Sequence, residues 1–234
     1  SGIISFEEIP PKKGTYMTSY DFAISGQHYL FDVQSFAHTI LAAGGDAYSY
    51  ALLDRTTQGV IDDVASGAAE LGVIMQTSTT EDALNSALAE AGLAFHELAV
   101  SAPLVALPAS HPFVNAKSLS LEQLADFPYV YFDQGPDAPV AFFEEALSEV
   151  PRAKKVACTD RASLTELIMA INGYTVTSGI LVGITDGSAL TTIPLETDIK
   201  LHLGYVTADN RELSVMGERF VSHLARSLDL YANR

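Results

Sequence analysis

The chain has one cysteine, Cys158, and no tryptophan. A lone cysteine excludes an intrachain disulfide and a thiolate metal cluster, and it points toward a reducing compartment. Basic residues are also scarce, with 13 Lys+Arg against 29 Asp+Glu and a formal net charge of −16. Such a surface repels a polyanion such as DNA, because nucleic-acid affinity rests on Lys and Arg neutralising phosphates. The pairs Lys12-Lys13 and Lys154-Lys155 are isolated and form no basic stripe. No apolar run is long enough to span a bilayer. The opening SGIISFEEIPPKKG lacks the cationic start and apolar centre of a secretory signal. A cytoplasmic protein with no membrane partner is the expectation.

Catalytic signatures are missing too. The six histidines make no His-Glu-x-x-His or other metal-binding spacing. No Gly-x-Ser-x-Gly elbow occurs, and Ser25 to His28 is one local turn rather than a triad. There is no phosphate-cradling Walker loop, and Gly179, Gly183 and Gly187 have the wrong spacing for a dinucleotide fingerprint. No enzyme, no cofactor and no metal are therefore expected.

What is present is a chain of 234 residues with 48% hydrophobic content. A compact chain of this size buries about 70–75% of its unfolded surface and needs no covalent staple. Residues 1–19 read as a lead-in, broken at Pro10-Pro11-Lys12-Lys13-Gly14. After it come a strand at 20–25, a helix from Tyr29 to Gly44, a strand at 49–54, a helix from Thr56-Thr57 to Gly67, and a doubly buried strand at 70–75. This alternation argues for parallel strands with crossover helices. A helix over 80–91 and extended structure over 95–108 follow.

The second half repeats the pattern. A short amphipathic piece at 120–127 precedes a strand at 128–133, a helix over 138–149 and a strand at 154–158. Ser163 and Glu166 have capping-box spacing ahead of another helix that Asn172-Gly173 stops. The β-prone run 175–183, a late strand at 200–207 and an amphipathic helix over 212–231 complete the chain. If 95–108 leaves the first half and 200–207 returns to it, two strands join two α/β halves. The joint makes a hinge with a cleft, a common place for a small ligand.

The joint also carries a resemblance. LVALPASHPF (104–113) followed by SLSLEQLADFPYV (118–130) resembles the effector-binding domain of the LysR-type transcriptional regulators, through Pro108, His111, Pro112, Ser120, Leu121, Leu124, Asp126 and Pro128. ASGAAELGVI (65–74) and MAINGYTVTSG (169–179) are similar to two further segments of that family, although Glu70 stands in place of the usual Asp and Tyr174-Thr175 in place of an apolar-Gly pair. The resemblance covers about 20–230. It implies two Rossmann-like lobes joined by two crossover strands, as in type 2 periplasmic-binding-protein-like folds, with lobe I at 20–100 plus 206–234 and lobe II at 101–205. It also implies a small-molecule effector, such as a small carboxylate or an amino acid, and self-association into a dimer or tetramer. The helices Tyr29–Leu41 and Leu164–Ile171 would form the pairing face. DNA would be bound only through an N-terminal winged helix-turn-helix, of which nothing is seen before residue 20. Exported solute-binding receptors share the bilobal architecture and form the alternative reading.

Candidate effector contacts lie where strand ends meet helix starts, since helix N-termini offer unpaired N–H groups to an anion. These are Ser25, Gln27 and His28 at the first turn, Thr56 and Thr57 at the second, and Asp133, Arg161 and Thr177 in the other half. The resemblance puts effector contacts at the serine position. Each has a plainer role available: an N-cap for Thr57, a satisfied polar flank for His28, a surface charge for Arg161. Cys158 ends an apolar strand with no second cysteine nearby and reads as inert core.

Overall fold

The computed structural model describes residues 20–180 and 190–232. The lead-in at 1–19 and the end of the β-prone run, 181–183, lie outside them. The first half builds strand β1 (Phe22–Gly26), helix α1 (Leu30–Ala43), β2 (Tyr50–Asp54), α2 (Thr57–Ser66), β3 (Leu71–Thr77), α3 (Glu81–Glu90) and β4 (Leu93–Ser101). β1 lies between β2 and β3 and runs parallel to both. β10 (Leu201–Ala208) returns from far along the chain and pairs antiparallel with both β3 and β4. The five-stranded sheet thus has the order β2-β1-β3-β10-β4.

Every residue of β3 is buried, so its alternating side chains must feed two separate cores. Leu71, Val73 and Met75 enter a cluster with Phe31 and Phe36 of α1 and with Phe220, Leu224 and Leu228 of α5 (Val215–Ala232). Ile74 faces the other way, toward Val60, Ile61 and Val64 of α2 and Leu84 and Leu88 of α3. Helices therefore cover both faces, as a largely parallel sheet requires. The tightest approach is at Gly72, where a Cβ atom would collide with Val60 of α2 and sit 2.9 Å from Val206 of β10. Only glycine lets α2 lie this close to the sheet.

The second half holds β5 (Leu104–Pro108), β6 (Tyr129–Phe132), β7 (Lys155–Cys158), α4 (Arg161–Ile171), β8 (Thr175–Thr177) and β9 (Leu190–Pro194). Its strands divide into an antiparallel set, β8-β5-β9, and a parallel pair, β6-β7. A single bridge from Tyr129 to Tyr174 links the two sets. The double-proline joint after β5 is a turn: His111 N–H donates to the Pro108 carbonyl, and the His111 ring packs 4.3 Å from that of Phe127.

Three features differ from expectation. The helix anticipated over 138–149 reduces to one 3-10 turn, Val140–Phe142. There Phe142, Glu144, Glu145 and Ala146 are all buried, a run that a one-sided helix cannot bury, and tertiary hydrogen bonds to both glutamates replace the helical ladder. α4 begins at Arg161 rather than at the Ser163 box, because Asp160 caps it by accepting from Ser163 N–H. β9 is an additional strand whose signal was confined to Thr191, Thr192 and Ile193, just before a proline.

A candidate ligand cavity

At Gly26, the end of β1, the chain passes close to Asp32, whose Oδ2 lies 2.5 Å from where a Cβ would stand. The turn that follows carries Gln27, His28 and Tyr29 into the first turn of α1. Gln27 is a buried hub. Its Oε1 accepts from Tyr29 O–H at 2.7 Å and from Met75 N–H at 3.0 Å, while its amide donates to the Thr57 hydroxyl. Thr57 in turn donates to the Phe142 carbonyl at 2.6 Å, and its own N–H is taken by Gln134 Oε1 at 2.8 Å. Gln134 donates to Glu144 at 2.9 Å.

Glu144 is bound by His28 twice, at 3.0 Å through the backbone N–H and at 2.8 Å through Nδ1. The other ring nitrogen of His28 lies 3.2 Å from the Thr159 carbonyl, and the ring stacks on Phe132 at 4.0 Å. Burial by itself lowers the His28 pKa, and the Glu144 hydrogen bond and charge outweigh it, so the net shift is upward. A continuous polar chain thus runs from the first helical turn of one half to β6 and β7 of the other.

Beside this chain lies a cavity of about 440 Å³, within the range typical of small-molecule sites. Phe31 and Met75 from the five-stranded side and Phe132, Leu164, Val176 and Ile180 from the other form its apolar wall. Its polar groups include His28, Glu144, Glu145, Arg161, Thr175 and Thr177. Arg161 bridges the halves at the rim. Its Nη2 lies 2.9 and 3.1 Å from the two Asp54 oxygens, and its Nη1 donates to the Tyr29 carbonyl and lies 3.7 Å from Asp32. Burial pushes Asp32 up to about 8, against the pull of Arg161.

Among the expected contacts, His28, Arg161 and Thr177 line this cavity. Gln27 and Thr57 stand behind it in the polar chain. Ser25 donates to Asp63 at 2.9 Å, Thr56 caps α2 by accepting from Gly59 N–H, and the exposed Asp133 holds Gly135 N–H at 3.0 Å. Glu144, Glu145 and Thr175 line the cavity without having been singled out in the sequence. The two glutamates carried no signal, since they fell inside a stretch with a helical look.

A five-stranded sheet with helices on both faces, left and re-entered by two strands and facing a second α/β unit, is the type 2 periplasmic-binding-like arrangement. The chain belongs to the LysR substrate binding domain family, whose model matches residues 49–229. It is similar in fold to the reduced OxyR regulatory domain from Pseudomonas aeruginosa, with a TM-score of 0.60, 14% identity, and coverage of 89% of this chain and 94% of that one. Oxidised OxyR from Corynebacterium glutamicum gives a TM-score of 0.60 at 16% identity, covering 89% of this chain and 64% of that one. HinK, a LysR family transcriptional regulator from Pseudomonas aeruginosa, gives 0.59 at 15% identity, covering 88% and 69%. No curated protein matches the chain.

Proposed function

We propose that this chain is the effector-sensing domain of a LysR-type transcriptional regulator and that the cavity is its effector site. The observation carrying this reading is the 440 Å³ cavity walled by both halves, with a polar network crossing between them at its edge. A molecule seated there touches α1 on one side and β8 and α4 on the other. It therefore binds one relative arrangement of the halves better than another, and it shifts the equilibrium by that differential affinity. On this reading the lobe boundaries, expected at 100/101 and 205/206, fall instead at the ends of β4 and β10, both in the larger sheet, so that lobe I takes 20–101 with 201–232 and lobe II the elements between.

The regulator acts in the cytoplasm and reaches DNA through a separate winged helix-turn-helix in the full-length protein. Among the described residues no helix is long and apolar enough to cross a membrane. Self-association belongs to the same reading. Leu41 on α1 and Met169 and Ile171 on α4 are exposed apolar side chains on the two helices expected to pair.

The test is a thermal-shift screen of the chain against a metabolite panel, repeated with Thr165→Trp, which fills the cavity from a partly exposed position on α4. A ligand at one hundred times its Kd adds about 2.7 kcal/mol, so a hit raises Tm of the wild type and leaves the variant unmoved. Hits that stabilise both proteins equally bind elsewhere and refute the assignment of the site.

A further inference from the structure

We propose that the cavity takes a small amine with an apolar body, its ammonium received by Glu145. The inference rests on the reading of the cavity as the effector site and adds the chemistry of the ligand. Glu145 is 4% exposed, and only one of its oxygens is occupied, by Phe132 N–H at 2.9 Å. Its Oε2 is buried with no hydrogen-bond partner, and Glu145 lines the cavity. A buried carboxyl oxygen left without a hydrogen-bond partner is costly. Thr175, 5% exposed and on the same lining, also has an unpartnered hydroxyl oxygen. Both groups accept hydrogen bonds, and an ammonium group supplies three donors.

The charge around the cavity points the same way. Glu144, Glu145 and Glu166 line it against one arginine, and Arg161 is already engaged by Asp54, Asp32 and the Tyr29 carbonyl. The starts of α2 and α4, which could favour an anion, are partly filled by the protein itself, whereas that of α1 has no side-chain cap. Gln134 takes Thr57 N–H at α2, Thr56 takes Gly59 N–H, and Asp160 takes Ser163 N–H at α4. Three lining glutamates against one engaged arginine disfavour a small carboxylate. The rest of the lining, including Phe31, Met75, Phe132, Leu164 and Val176, suits an aromatic or aliphatic body.

Glu145 faces Glu144 on its own segment, Tyr29 just before α1, Tyr129 on β6, Arg152 before β7 and Cys158 on β7. Burial and the Glu144 charge raise its pKa well above the usual carboxylate value, although Phe132 N–H and Arg152 pull it down. An entering ammonium ion therefore displaces the carboxyl proton to solvent, and amine binding tightens as pH rises toward the raised Glu145 pKa.

The experiment uses three probes of matched shape, 2-phenylethylamine, phenylacetate and 2-phenylethanol, titrated calorimetrically into the wild-type chain and into Glu145→Gln and Thr175→Val. The amine is expected to bind at least tenfold more tightly than the acid. Glu145→Gln keeps the acceptor for Phe132 N–H, and it should remove that preference while leaving 2-phenylethanol binding within twofold. Should Glu145→Gln fail to fold, Thr175→Val is read instead, with a severalfold loss for the amine only. Tighter binding of phenylacetate overturns the amine assignment and leaves the cavity as a ligand site. Silence of all three probes overturns the amine assignment and counts against the cavity as an effector site as well.

Discussion

Arg161, the first residue of α4, holds Asp54, the last residue of β2, through both carboxylate oxygens at 2.9 and 3.1 Å. The two residues lie 107 positions apart and belong to opposite halves of the molecule. The same guanidinium spans the Tyr29 carbonyl and approaches the buried Asp32. A planar donor fork can serve several acceptors at once, which an ammonium group cannot do in this geometry. The arrangement sits at the edge of the cavity, whose lining includes both Arg161 and Tyr29.

Replacing Arg161 by alanine should lower stability by about 1–3 kcal/mol, as expected for losing hydrogen bonds between charged groups that are only partly screened. Urea denaturation reads this directly. Arg161→Lys should recover less than half the loss, because the bidentate contact cannot form. Full recovery by lysine would show that simple charge, rather than the fork, holds Asp54.

Stability should fall between pH 6.5 and 8. His28 and Glu145 have raised pKa values, and Asp32 is pushed up to about 8 from 3.8. Each therefore keeps its proton in the folded chain at a pH where the unfolded chain has lost it. The stability this represents is present in full below the unfolded value and is lost as pH climbs through the folded one, at up to ~1.4 kcal/mol per unit for each proton. His111 and His223, whose values are lowered, act only below about 6.5. Urea midpoints measured across this range check the sign, and Asp32→Asn should flatten the slope. A midpoint that rises with pH contradicts the assignment.

Cys158 should be a poor thiol. Burial, together with Glu145 nearby, pushes its pKa up to about 11, and its Sγ lies against the Tyr131 carbonyl at 3.5 Å. The thiolate is the reactive form, so little is available at neutral pH. Alkylation by iodoacetamide should run at least tenfold slower in the native chain than in urea, and mild peroxide should leave its mass unchanged. Rapid native modification would place a redox role at this position.

Residues that repeat at close spacing were readable. Val60, Ile61 and Val64 announced α2, and the closed run Leu71–Met75 announced a strand buried on both faces. The return of the chain at β10 was visible from the alternation in Leu201, Leu203 and Tyr205. Thr57 and Gln27 could be picked out by position, as polar residues at strand-to-helix turns. What each of them bonds could not: Phe142 and Gln134 lie 85 and 77 positions beyond Thr57, and Gln27 reaches Thr57 and Met75, 30 and 48 positions on.

The sequence by itself determined most of the local elements, which rest on periodicities within a few residues, and its proline-rich joint carried the family resemblance that the family match then bore out. Tertiary structure alone decided that 138–149 gives up its helix, that Glu144 closes on His28 while Glu145 keeps one oxygen free, and that Arg161 is spent on Asp54. Those outcomes depend on burial and on charges brought together from distant segments. A carboxylate's hydrogen bonds and its hold on a proton follow from the surroundings it is folded into, which no window of neighbouring residues contains.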